Sequence, residues 1–232
     1  MQIIESSALG VRAAIYRLGH PDSKLEFELF PMVHIGEQQF YDAVRSRLNE
    51  CDMVLFEGVS SARGRILALS YSLIARRKRL GLVCQSEALP RSAIESKMIH
   101  ADVSAPEFAR YWLRVPLWQR LFFYIAAPLR GAYDYLTATR ESVARRCGTD
   151  DLQSRDDVLL DEDLEEIRDA LRMRRDGHLL SCVLKCHDEN MREQKRAAVL
   201  YGAAHIPPVL RLLQDRLGYR VNQADWLTVF EI

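Results

Sequence analysis

Long hydrophobic runs are missing from this chain. The most apolar stretch, LFFYIAAPL (Leu121–Leu129), falls far short of the roughly 20 residues a bilayer-spanning helix needs. The opening MQIIESSALG has no basic start leading into an apolar core, so no secretory signal is expected there. A surplus of one charge is missing as well. Lys and Arg number 32 against 32 Asp and Glu in 232 residues, and a neutral chain gives no reason to expect a nucleic acid partner. Cysteine is scarce and odd in number. Cys51, Cys84, Cys147, Cys182 and Cys186 fit no disulfide scaffold, which points to a reducing compartment and a soluble, cytoplasmic protein. Internal repeats and low-complexity linkers are absent too.

What is present is enough apolar material, 48% of residues, to exclude a disordered chain. The length suits a single α/β domain over 1–232. Val11–Leu18 and Lys24–Phe30 flank the turn formers of GHPDS and read as a strand meander. Pro31 then marks a strand edge or a kink. Helical spacing of Phe40, Tyr41, Val44 and Leu48 predicts a helix over Glu37–Leu48. DMVLFEG (Asp52–Gly58) reads as a strand covered on both faces. A helix over Arg63–Arg79 follows, then buried strands at Leu80–Ala88 and Ser96–Ser104. Ser104 with Glu107 predicts a capping box.

From Pro106 to Cys147 the pattern is helical and aromatic, with breaks expected at Pro116 and Pro128. A further helix is predicted over Asp161–Arg175, its arginines complementing the dipole of its last turn, and helix resumes after Gly177. AAVLYGAAH (Ala197–His205) is a strand with a Gly turn, Ile206–Gly218 a helix, and Tyr219–Ile232 extended. Strand–helix alternation at both ends gives the expected fold class: α/β, a central mixed sheet flanked by helices. A helical insertion at about 106–195 separates the N-terminal from the C-terminal strands.

Three predicted strands end in a polar group just before a helix: His34 in PMVHIG, Glu57 in VLFEGV and His205 in LYGAAH. Ligands of open α/β sheets bind outside the carboxyl ends of the strands, where side chains remote in sequence converge. Two imidazoles and a carboxylate suit a divalent transition ion with an open position, which lowers the pKa of bound water. Without a metal, the same groups suit a general base and its orienting partners. Taken singly, each has a plainer reading, as a packed histidine or a helix-capping glutamate. Glu87 and Gln85, at the end of the third predicted strand, and His100 and Asp102, at the end of the fourth, are further candidates to line the site. Asp102 equally suits a helix N-terminus beside Ser104. Cys182 and Cys186 read as buried helix cysteines rather than zinc ligands.

VHIGEQQFYDAVRSRLNECDMVLFEGV, with AAVLYGAAHIPPVLRLLQDRLGYRV much later, resembles the TraB/PrgY/GumN family that includes the Tiki proteases. His34, Glu57 and Gly202-Ala-Ala-His205 fall on that family's two Gly-x-x-His elements and intervening Glu. The first element departs from the pattern, with Pro31 at the glycine position. The resemblance implies an erythromycin-esterase-like fold and metal-dependent hydrolysis, with manganese or cobalt; the expected reaction is at a peptide or ester bond, and the expected cofactor is a divalent transition metal, manganese, cobalt or zinc. His34 and His205 would be ligands, Glu57 a ligand or the base, and Gly202 would permit a tight turn. The expected partner is a small-molecule or peptide substrate. The alternative is a binding or regulatory protein that keeps the pocket without chemistry. For residues 111–135 the readings are core packing, a lid over the strand ends, or a membrane-surface contact.

Overall fold

The computed structural model describes residues 1–58, 69–147 and 172–232. Its first half contains β1 (Ile4–Ser7), β2 (Gly10–His20), β3 (Ser23–Met32), β4 (Ile35–Gly36), α1 (Gln38–Leu48), β5 (Met53–Phe56), α2 (Leu69–Ala75), β6 (Val83–Cys84), α3 (Gln85–Ala88) and β7 (Lys97–His100). Then follow α4 (Ala105–Arg114), α5 (Leu117–Thr137), α6 (Arg140–Cys147), α7 (Arg174–Asn190), β8 (Arg196–Gly202), α8 (Ile206–Arg211) and β9 (Arg220–Glu231). The expected helix at Asp161–Arg175 lies mostly outside the described residues, as does the start of the one at Arg63–Arg79.

The sheet is mixed. β3, β8, β5 and β7 run parallel, and β1, β2 and β9 complete it antiparallel. The helices α4 to α7, between β7 and β8, are the expected insertion. β5 and the central residues of β8 are buried on both faces, which explains their nearly unbroken apolar runs. The β2–β3 hairpin closes on Pro21 and Asp22, with His20 paired to Ser23.

Pro31 does not mark an edge. It lies inside β3, in register with Tyr201 of β8. The pairing of β3 with β2 ends at Leu29, and Ala14 of β2 donates instead to Ile3 at 3.0 Å. The missing proline N–H therefore costs no ladder bond there.

α1 buries Phe40, Tyr41, Val44 and Leu48, the predicted stripe, each worth about 1.5–3 kcal/mol when fully covered. Tyr41 donates its hydroxyl to the Val33 carbonyl at 2.9 Å, so the phenol is buried without a lost hydrogen bond. Three other expectations change. The third strand shrinks to two residues and pairs with β4 in a separate ribbon, outside the main sheet. Pro128 stays inside α5 rather than ending it. Gly177 lies within α7 rather than before it. Ser104 and Glu107 form the predicted capping box. The aromatic insertion divides in two: Trp112 is core, whereas Trp118, Phe122, Ile125 and Leu129 are exposed along one side of α5.

Candidate functional site

The register of the parallel strands builds the site. Met32 of β3 aligns with Gly202 of β8, and Leu200 of β8 with Phe56 of β5, which in turn aligns with His100 of β7. The four strands thus end at one edge. His34, Glu57, Asp102 and Gly202 through His205 all lie within a few residues of those ends. The structure brings His34, Glu57, Gly202 and His205 to the wall of one cleft. A second cavity meets it at His34 and Glu57.

Arg175 is at the centre. From the first turn of α7 it sends Nε to Asp102 Oδ1 at 2.9 Å and Nη2 to Asp102 Oδ2 at 2.7 Å. The same Nη2 donates to Glu57 Oε1 at 2.5 Å. Asp102 also accepts from the backbone N–H of Gly58 at 3.0 Å and of Val103 at 2.8 Å. Glu57 Oε2 accepts from the Gly202 N–H at 2.6 Å.

Burial works against charge on all three side chains, and the contacts outweigh it. Glu57 is held below the usual carboxylate range by Arg175, His205 and the Gly202 N–H. Asp102 is held low by Arg175 and the Val103 and Gly58 N–H groups. Arg175 is pushed up by Asp102 and Glu57. Two short, hydrogen-bonded carboxylates around one guanidinium make a charge-assisted clamp.

Gly202 does not supply a special backbone angle, since its φ is −52°. Its role is proximity: a Cβ there would stand 3.1 Å from Glu57 Oε2. The next residue of α7, Asp176, places Oδ1 2.5 Å from His205 Nδ1. A carboxylate accepts, so Nδ1 carries a proton, and in the neutral ring Nε2 is the nitrogen with the lone pair. The His205 ring rests edge-on against buried Tyr201, centroids 5.0 Å apart. Burial, then the charge of Asp102, pushes the Tyr201 phenol far up.

His34 follows β3 at an exposed bend on the cleft wall, and its carbonyl accepts the Gln85 N–H at 3.0 Å. Asp102 is buried behind the wall, gripping Arg175. Glu87 is exposed on α3 and does not line the cavities that His34 and Glu57 share, because its strand left the main sheet. Gln85 lines the second cavity. His100 donates Nε2–H to the Gly58 carbonyl at 2.9 Å. The thiols nearest the site, Cys84 and Cys147, are each raised to about 11, chiefly by burial, and so stay protonated. Cys186 is buried against Met53 and His187 bonds Tyr219, a structural arrangement.

The donor set was expected to suit a divalent ion. Among the described residues, no three His, Cys, Asp or Glu groups stand close enough to hold one. Each Glu57 oxygen meets an N–H donor, and one of those donors belongs to a guanidinium. A cation beside Glu57 would face a fixed positive charge at hydrogen-bond distance. As arranged, His34, Glu57 and His205 do not fit the ion.

Searches against family models, curated proteins and solved structures gave no match to this chain. Among the described residues no helix is long and apolar enough to cross a membrane.

Proposed function

We propose that the protein hydrolyses an acyl bond, ester or peptide, at the carboxyl edge of its sheet. The TraB/PrgY/GumN resemblance belongs to this proposal and supplies the reaction class. His205 acts as the general base. Its Nε2 takes a proton from water as the water oxygen bonds to the acyl carbon, Asp176 holds the imidazolium that forms, and that proton passes to the leaving oxygen or nitrogen as its bond to the acyl carbon breaks. The Glu57–Arg175–Asp102 clamp fixes the end of β8 through Gly202, and His34 lines the mouth. The observation that carries this reading is the His205 Nδ1–Asp176 contact of 2.5 Å beside an open cleft.

The test is a panel of aryl esters and short peptides, assayed with chelator and with added manganese, cobalt or zinc. Asp176→Asn should lower kcat/KM by roughly 10²-fold or more, and wild-type turnover should survive chelation. Turnover that requires a metal would return His34, Glu57 and His205 to ligand roles. The non-catalytic reading is favoured by the clamp itself, which leaves both acids paired with Arg175. It predicts binding with no turnover of any panel member.

A further inference from the structure

We infer that this site takes an organic anion with an apolar body, and that Arg91 reads the anionic end. The inference rests on the cleft being a substrate site, as proposed above, but it concerns binding rather than chemistry.

The second cavity has a volume of about 560 Å³, within the range of small-molecule sites. Phe56, Leu89, Pro90, Ile94 and Met98 line it, and it joins the catalytic lobe at His34 and Glu57. A molecule bound across that junction would rest its apolar body in the second cavity. Arg91 stands at its exposed side, its guanidinium 4.4 Å from the centre of the Phe56 ring. It donates Nη2–H to the Glu57 carbonyl at 3.3 Å.

The described partners of Arg91 are that ring and that carbonyl, and neither is a carboxylate. The neighbouring arginines differ: Arg130 and Arg146 pair with Asp134, and Arg175 with Glu57 and Asp102. A guanidinium has five N–H donors and matches a carboxylate with two parallel bonds. The contact with Phe56 holds the guanidinium over the ring and leaves donors for a ligand. Gly58 adjoins it: a Cβ there would fall 1.8 Å from Arg91 Nη2, so any side chain at 58 would displace this flexible guanidinium.

The experiment is calorimetric titration of the full chain with 4-phenylbutanoate and with 4-phenylbutanamide, which share a shape and differ in charge. Wild type should bind the carboxylate about tenfold or more tightly than the amide, as expected of a charge-assisted hydrogen bond. Arg91→Gln should reduce that preference below about threefold, weakening the carboxylate far more than the amide, while leaving the urea midpoint unchanged. Ile94→Trp should weaken both ligands by filling the cavity. Equal affinities in wild type, an undiminished preference in Arg91→Gln, or no binding of either ligand would overturn the assignment. The same titrations on His205→Gln separate the two proposals. A preserved preference there, with no ester hydrolysis by wild type, leaves this inference standing and removes the base. Hydrolysis without the preference does the reverse.

Discussion

Carboxylates with little or no exposure meet arginines at both ends of the parallel strands. At the carboxyl end, Glu57 and Asp102 touch Arg175 at 2.5–2.9 Å and take three backbone N–H bonds besides. Toward the amino end, Glu28 of β3 is 2% exposed and faces Arg17, Arg47 and Arg196 at 3.5, 3.8 and 3.9 Å. The Cys51 thiol is a weak donor to it at 3.9 Å. Three arginines do less there than one does at the other end. Burial raises Glu28, and the arginines only partly offset it, while Glu57 and Asp102 are lowered. Contact geometry, rather than the number of opposite charges, decides which way an acid with little exposure is shifted.

The largest test of that contrast removes Arg175. Arg175→Met leaves buried Asp102 and half-buried Glu57 without their cation and should cost about 3–5 kcal/mol in urea unfolding. Gly202→Ala comes next. Its methyl must displace the Glu57 carboxylate or the chain, which should cost about 1–3 kcal/mol and lower any turnover. Glu28→Gln is the smallest, about 1 kcal/mol or less at neutral pH, because the three arginines it faces all keep contact with solvent and no buried charge is stranded. A cost equal to that of Arg175→Met would break the comparison.

The two ends should also respond to pH with opposite sign. Glu57 and Asp102 are lowered in the folded state. Their stabilisation is present above the unfolded carboxylate values of about 4 and is lost as pH falls through the folded ones. Glu28 is raised. Its contribution is complete below about 4.3 and is lost as pH rises through its folded value. Urea midpoints measured from about pH 3 to about pH 8 should show a declining arm just above pH 4. That arm should vanish in Glu28→Gln, while the acid-side loss remains.

Much of the site could be read from the residues. Apolar runs buried on both faces imply parallel strands, and parallel strands share a carboxyl edge, so His34, Glu57 and His205 were expected together. Asp102 followed from the same logic. Glu87 misled because VCQSEA resembles a strand end; two residues of β6 pair with β4 instead, and local periodicity carries no information about which sheet a strand joins. Arg175 and Asp176 were missed. They sit side by side in RMRRDGH, where arginines beside a glycine read as the end of a helix. Helix continues through Gly177, and its first turn aims one side chain at the clamp and the next at His205. Only tertiary placement distinguishes a cation that complements a dipole from one that holds two acids together.

The most direct test is the hydrolysis of one responsive ester by wild type and His205→Gln, with equal urea midpoints as the control for folding. The site described here predicts that wild-type kcat/KM falls by roughly 10²-fold or more in the variant. Equal rates in the two proteins would show that His205 is not the base.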